Sequence, residues 1–551
     1  MAFFNGWPWT QFQEQNLDWL IKKVKYLETQ IGSTAETEYD GSHIHFISKT
    51  SDPYSLTKDD LLVINDGNDH IMNNTLSCDV LFISGTLSGD VYIDGKIYAG
   101  RQQIFGTITD MNINPENNPV GYPEYYKDFY SDTAIGINEC ILTFLQTSLA
   151  AKDYHIYSTI HINLSHRKLF GEQINQGYYN GLSDNAGTRI IAHSCNGIII
   201  GDENGTFNVS TIEISDLSLT TDADFSLEYA GIHLYCIRAA YIHDVTVSNF
   251  KRGYKIENIL YSHINKCRYL CNKASNNNAV IAAMYLVLGD PVPNSISSIS
   301  SLYVTDFDAN FANQNRYNYG ILSTGNKPIA DFIVDKFNSV AAGTGVYIKS
   351  DASALQQNLE FTNCCFDNNG EDGIRLDGAI RANINQCHVT VGSWGSGVTK
   401  HCIYLQNGGD LGSVRMVGSS IKSADGSTEN AYGLRAVGCS NMYIEASCTG
   451  FKYPALITNG EGNEIVLSII NKANIADAIV LDGTSHSIVR SSVVSESGYG
   501  AGNGVRIANG SYNQVDVTKL VDVTNKMVIG GTVQTTPFTA LTNNNVMVGI
   551  N

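Results

Sequence analysis

The chain has 551 residues with 50 glycines, 10 prolines and a formal net charge of −19. Charged residues make up only 16% against 43% hydrophobic ones, which argues against a disordered chain and for a large core. The acidic balance argues against a nucleic-acid partner, since phosphate contact needs a basic face, and it disfavours anionic membranes and strongly anionic polymers unless a cation or a local basic strip intervenes.

Residues 1–32 open with aromatic side chains at a free terminus: Phe3, Phe4, Trp7, Trp9 and Phe12, with Trp19 shortly after. No basic segment followed by an apolar run reads as a signal peptide, and no apolar stretch reaches the length of a membrane span. So much apolar surface ahead of any domain calls for cover by another chain. From Gln13, Leu17, Leu20 or Ile21, Val24, Leu27 and Ile31 recur at helical spacing, with Lys22, Lys23, Lys25 and Glu28 on the other face. Gly32 ends this amphipathic helix. It is long enough to bundle with copies of itself but too short to stand alone. Phe4-Asn-Gly-Trp-Pro-Trp9, followed by Asn16-Leu-Asp-Trp-Leu20, resembles the start of tail appendage and tail-fibre proteins of short-tailed phages of Gram-positive bacteria. The resemblance implies that this segment fixes the protein to a virion collar or tail and helps it trimerise.

Residues 33–130 read as a small β domain and connector. Apolar runs at His43 to Ile47, Asp60 to Ile64, Val80 to Ile83 and Val91 to Ile93 are strand-like, and Ile83 to Gly95, with its glycine turns, reads as a hairpin. Pro115, Pro119 and Pro123 mark the connector.

Residues 131–530 form the main body. A helical pattern runs from Asp132 to Leu149. From about Ser210 a short alternating strand then recurs roughly every 21 to 30 residues, the spacing of a solenoid. Gly231-Ile-His-Leu234, Gly253-Tyr-Lys-Ile256, Gly320-Ile-Leu322 and Gly345-Val-Tyr-Ile-Lys349 lead into Gly373-Ile-Arg-Leu-Asp377 and Cys402-Ile-Tyr-Leu-Gln406. Tyr432-Gly-Leu-Arg435, Ala478-Ile-Val-Leu-Asp482 and Gly504-Val-Arg-Ile507 complete the series. A second strand type lies between these, for example Leu359 to Phe361 and Ala382 to Ile384. Several short strands per repeat, with no helical pattern between them, indicate a mainly β fold, a right-handed parallel β-helix of roughly 12 turns and about 60 Å. The order of an Asp-Thr-Ala helix, a strand and a Lys-Leu-Phe-Gly corner at Lys168 to Gly171 resembles the start of pectate-lyase-like β-helices, which speaks to fold more than activity. Asn249, Asn258, Asn265, Asn338 and Asn363 are candidates for corner turns or for side-chain ladders between turns. Cys236, Cys267, Cys402 and Cys439 fall at inward positions, as small core residues of a chain folded in a reducing host cytoplasm. Alternation sends Cys364 and Cys365 to opposite faces. No Cys/His spacing indicates a zinc site, and neither metal nor cofactor is expected.

Chemistry is expected on the outer face of the rod, where side chains of successive turns converge. Glycoside hydrolysis needs two carboxylates. Asp367, Glu371, Asp372 and Asp377 surround one corner, with Arg375 among them. Asp306 and Asp308 are an alternative pair on one strand face. Trp394, Tyr347, Tyr404 and Arg375 are candidates for holding a glycan, the aromatics by stacking. Trp394 alternatively packs on a neighbouring subunit. A lyase would use Arg375 or Arg381 as base with a calcium held by several Asp.

Residues 531–551 read as a short tail beyond the last turn. The expectation is a homotrimeric virion tail spike that attaches to a host-surface polysaccharide or teichoic acid and is a candidate to degrade it. The alternatives are a non-enzymatic adhesin and a purely structural tail component.

Overall fold

The computed structural model describes residues 133–534 apart from segments 173–186, 202–208, 274–278, 290–298, 326, 351–355, 395–397, 410–412, 424–430, 472–474, 496–500 and 522. It also describes residues 545–548 and the backbone of short strands before residue 122. The aromatic residues Phe3, Phe4, Trp7, Trp9, Phe12 and Trp19 lie outside the described residues. No described helix is long and apolar enough to cross a membrane. The chain divides into two compact units, Met1–Leu149 and Ala150–Asn551.

In the first unit, Ile44–Ile47, Leu61–Ile64, Val80–Ile83 and Lys96–Ile97 pair in that order, all parallel. His70–Ile71 pairs with Leu87–Ser88, also parallel. The expected hairpin over 83–95 is therefore replaced by parallel pairing at wider separation. Glycines that can close a hairpin can equally turn the corner of a coil. The helix is Thr133–Thr143, shorter than the pattern suggested, because Gln146–Leu149 is a strand paired with Val120–Gly121.

The second unit is a parallel β-helix. Each full turn contributes to three stacked parallel sheets. In the first sheet, Leu302, Phe332, Leu359 and Ala382 follow one another in register. The second runs through Asp308, Asn338, Cys365 and His388. The third holds every repeat unit quoted above and is fourteen strands deep among the described residues. Register partners lie from 21 residues apart (Tyr432 and Tyr453) to 45 (Lys168 and Glu213), so some turns carry longer loops than the repeat suggested.

Stacking builds the core. Ile321, Val346, Ile374, Ile403 and Leu434 form one inward column in the third sheet, and each is fully buried. Inside the second, Phe307 and Phe337 stack with centroids 4.9 Å apart, and Phe366 packs tilted against Phe337 at 6.0 Å. No single turn covers its own apolar face; the next turn does. Gly373 shows why glycine recurs at the start of these strands. A Cβ there would lie 2.1 Å from Val389 Cγ1 and 2.6 Å from the Cys402 carbonyl oxygen.

One corner repeats a left-handed residue through six turns: Asp244, Lys266, Asp306, Lys336, Asn363 and Gln386, with φ of 50–54°. Asn249 and Asn258 also adopt positive φ, whereas Asn265 and Asn338 are strand residues bonded to Thr305 and Asp308. A buried asparagine ladder forms at other positions. Asn463, Asn513 and Asn545 accept the amides of Met442, Ser487 and Asn513, and donate to the carbonyls of Cys439, Thr484 and Gly510. Cys236, Cys267, Cys402 and Cys439 are buried, Cys364 is buried and Cys365 half-exposed.

Near the end, Gly530 and Gly531 at positive φ turn the chain so that Thr532–Gln534 pairs antiparallel with Val523–Ile529. Val546–Val548 then returns to the first sheet as a parallel partner of Gln514–Val521. The residues read as a tail thus contribute a strand to the rod.

Candidate functional site

In the third sheet, alternation turns Ile374 and Leu376 inward and Arg375 outward. The same position in successive turns is Tyr347, Arg375, Tyr404 and Arg435. Leu322 precedes this row and Leu456 follows it, so the polar stretch is bounded at both ends. A second row beside it runs Asp372, His401, Tyr432 and Tyr453. The rod thus carries a two-row polar and aromatic face several turns long.

Its members interlock. The Arg375 guanidinium lies 4.7 Å from the Tyr347 ring centre and 5.1 Å from that of Tyr404. Arg435 lies 5.3 Å from Tyr404 and 5.4 Å from Tyr432. His401 stacks on Tyr404 at 4.5 Å and on Tyr432 at 5.3 Å, and Tyr432 stacks on Tyr453 at 4.7 Å. The expected stacking of sugars on Tyr347 and Tyr404 meets a physical obstacle. In-register stacking puts the faces of Tyr404 against neighbouring guanidinium groups, leaving ring edges, phenol oxygens and arginine nitrogens to face a ligand. Burial pushes the Tyr347 and Tyr432 hydroxyls above their ordinary pKa, so both remain hydrogen-bond donors.

The carboxylates divide. Glu371 and Asp372 lie at the foot of the face. Glu371 is half-buried, with Arg316 Nη2 2.7 Å from its Oε1. Burial nevertheless holds its carboxyl above the usual value, against the opposing pull of Arg316, and the neighbouring Asp372 adds to the rise. Asp372 is only 4% exposed. Its Oδ1 lies 2.7 Å from His401 Nδ1, and its Oδ2 3.6 Å from Arg375 Nη1. Asp377 lies at the far end of the strand, roughly 16 Å along it, and accepts a bond from Asn407. Asp367 belongs to the second sheet, where Thr390 donates to it. The corner read as one acidic cluster is therefore split between two sheets, because the chain turns between Asp367 and Asp372.

Trp394 packs on the backbone of Gly370, immediately before Glu371, and its Nε1 donates to the Asn368 carbonyl at 2.9 Å. Asp306 and Asp308 line a separate groove of about 410 Å³ with Lys266, Arg268 and Lys336. Asp306 sits at a left-handed corner, 3.5 Å from Lys336, while Asp308 lies 3.6 Å from Arg268. Arg381 lies on the first sheet, so it and Arg375 do not share a site. Among the described residues no group of three metal-ligating side chains converges.

Sequence reading did not single out Arg316, His401, Tyr432, Arg435 or Tyr453. Aligning the repeats places His401 and Tyr432 above Asp372, and Arg435 above Arg375, so the signal was present in register. Arg316 enters through an irregular stretch where pairing shifts between Asn310 and Tyr319, which no repeat reveals.

No family model matches the chain, and no curated protein matches it in sequence. Solved structures with a similar course include tailspike protein 3 of bacteriophage CBA120 (12% identity, TM-score 0.47), over 79% of this chain and 62% of that one. The A-module of an Azotobacter vinelandii mannuronan C-5 epimerase matches at 12% identity and TM-score 0.41, over 77% and 97% of the two chains. PfbA, a surface adhesin of Streptococcus pneumoniae, matches at 12% and 0.36, over 74% and 91%. The chain spans less than two thirds of the length of the tailspike.

Proposed function

We propose that this chain is a phage tail spike whose β-helical rod holds a host-surface glycan along the outer face of its third sheet. The observation that carries this is the register row Tyr347, Arg375, Tyr404 and Arg435, backed by Asp372, His401, Tyr432 and Tyr453. Hydrogen-bonding groups repeated once per turn along a rigid rod suit an extended polymer rather than a compact small molecule. The aromatic segment at residues 1–32, with its resemblance to phage appendages, supplies attachment to a virion collar or tail and assembly into a homotrimer.

Binding is the better-supported role. Asp372 is buried and engaged by His401 and Arg375, which suits holding the face together more than attacking a sugar. A second reading, hydrolysis, is favoured by Glu371 alone: a carboxyl raised by burial is suited to protonating a leaving oxygen, with Asp372 as its partner.

The test is incubation of the purified protein with host wall polysaccharide and with teichoic acid, followed by sizing and a binding assay. Binding with full-length polymer retained supports the adhesin. Shortened products that disappear with Glu371→Gln support hydrolysis. Absence of both binding and cleavage refutes the glycan-binding reading.

A further inference from the structure

We infer that the third-sheet face selects polymers carrying one acidic group per disaccharide, laid parallel to the rod axis. This rests on the glycan-binding reading above. Arg375 and Arg435 occupy the same register position two turns apart, with Tyr404 between them. Two strand spacings of ~4.8 Å place their Cα atoms about 10 Å apart. That distance matches the length of an extended disaccharide. A polymer with an acid on every sugar would set alternate charges against Tyr404, where no cation stands.

The two arginines are suited to receive an anion. Among the described residues, no carboxylate lies within ion-pair distance of Arg435; its contacts are His401 Nε2 at 3.2 Å and the rings of Tyr404 and Tyr432. Arg375 has one carboxylate contact, to Asp372, at a long 3.6 Å. A chain of net charge −19 has many acids with which to neutralise a surface cation, yet this face leaves one guanidinium without such a partner and the other weakly paired. Tyrosine rings beside the guanidinium groups fix their planes and limit the freedom lost on binding. A planar guanidinium so held is matched to the planar fork of a carboxylate. Leu322 and Leu456 end the row, which sets its reach at two charges.

The test measures binding of the full chain to three defined oligosaccharide probes: hyaluronan oligomers, with one carboxylate per disaccharide; oligogalacturonates, with one per sugar; and chitin oligomers, with none. The expected result is tightest binding to hyaluronan oligomers of at least two disaccharides, falling with added salt. Arg435→Ala should weaken it about tenfold or more, with Arg435→Lys intermediate. Circular dichroism of both variants separates loss of the contact from loss of the fold. Equal or tighter binding of chitin oligomers, or of oligogalacturonates, overturns the charge-spacing inference while leaving glycan binding standing. Unchanged affinity in a folded Arg435→Ala variant overturns it as well. Failure of all three probes overturns it too, and binding of host wall glycan then decides separately whether the glycan-binding reading survives.

Discussion

His401 and Asp372, on adjacent turns of the third sheet, form a buried pair, Nδ1 to Oδ1 at 2.7 Å. Arg435 Nη1 donates into the other imidazole nitrogen, so the network assigns the ring proton to Nδ1, where it is donated to Asp372. One imidazole thereby couples three turns. His401→Ala should cost about 1–3 kcal/mol, since it leaves a carboxylate only 4% exposed with a single long contact. Asp372→Ala should cost a similar amount, because the imidazole loses its acceptor. The double variant should cost less than the sum, with a coupling of about 0.5–3 kcal/mol. Strict additivity in a denaturation cycle would show that the two side chains are neighbours without being partners.

Glu371 gives a pH signature. Burial raises its carboxyl above the ordinary 4.5 despite Arg316. The folded chain therefore holds this proton more tightly than the unfolded chain. Its contribution to stability is complete below the ordinary value and is lost as pH rises through the raised one. Glu371→Gln cannot ionise and escapes that loss. The melting temperature of the variant, relative to the natural chain, should climb as pH rises from below 4.5 toward neutrality. A difference that stays flat over this interval, or falls, would contradict the burial of this carboxyl.

The β-helix was legible because its signal is repetitive. Units such as Gly373-Ile-Arg-Leu-Asp377 and Cys402-Ile-Tyr-Leu-Gln406 each state the same inward and outward alternation, and errors in one copy are corrected by the next. The site was legible only in part. Arg375, Tyr347 and Tyr404 stand at the centre of such units, but what they do depends on stacking between turns: Tyr404 looks like a sugar platform until Arg375 and Arg435 cover it. Asp367 and Asp372, close in sequence, belong to different sheets because a corner intervenes, and local alternation does not mark corners. The same limit explains the parallel pairing of Val80–Ile83, where glycines suggested a hairpin, and the return of Val546–Val548 to the rod.

The asparagine ladder predicts where the rod opens first when damaged. Asn513 is almost fully buried, accepts the Ser487 amide at 3.1 Å and donates to the Thr484 carbonyl at 3.0 Å. Asn513→Leu fits apolar surroundings but leaves the Ser487 amide and the Thr484 carbonyl without this partner, a cost of about 1–3 kcal/mol. Amide exchange should quicken at Ser487 and its neighbouring turns, while Val346 and Ile374 keep their protection. Faster exchange spread evenly over the whole rod would mean that the ladder has no local role.

The distance between turns limits what can stand at position 373. Adding a Cβ at Gly373 would bring it against the Cys402 backbone carbonyl of the next turn and Val389 Cγ1 within the core. The carbonyl is held in the ladder and cannot withdraw without parting two strands, so Gly373→Ala should destabilise by about 1–3 kcal/mol through overpacking. Gly408 supplies the control. Its added Cβ would meet nothing nearer than Cys439 Sγ at 3.3 Å, and a side-chain sulfur can shift by the few tenths of an ångström required. Gly408→Ala should therefore leave the melting temperature close to that of the natural chain, while Gly373→Ala lowers it. Because Arg375 lies two residues beyond Gly373 and is fixed by the same pairing, Gly373→Ala should also weaken glycan binding, whereas Gly408→Ala should not. Equal melting temperatures for the two variants would show that close backbone approach is not what places glycine at the head of repeats such as Gly373-Ile-Arg-Leu-Asp377.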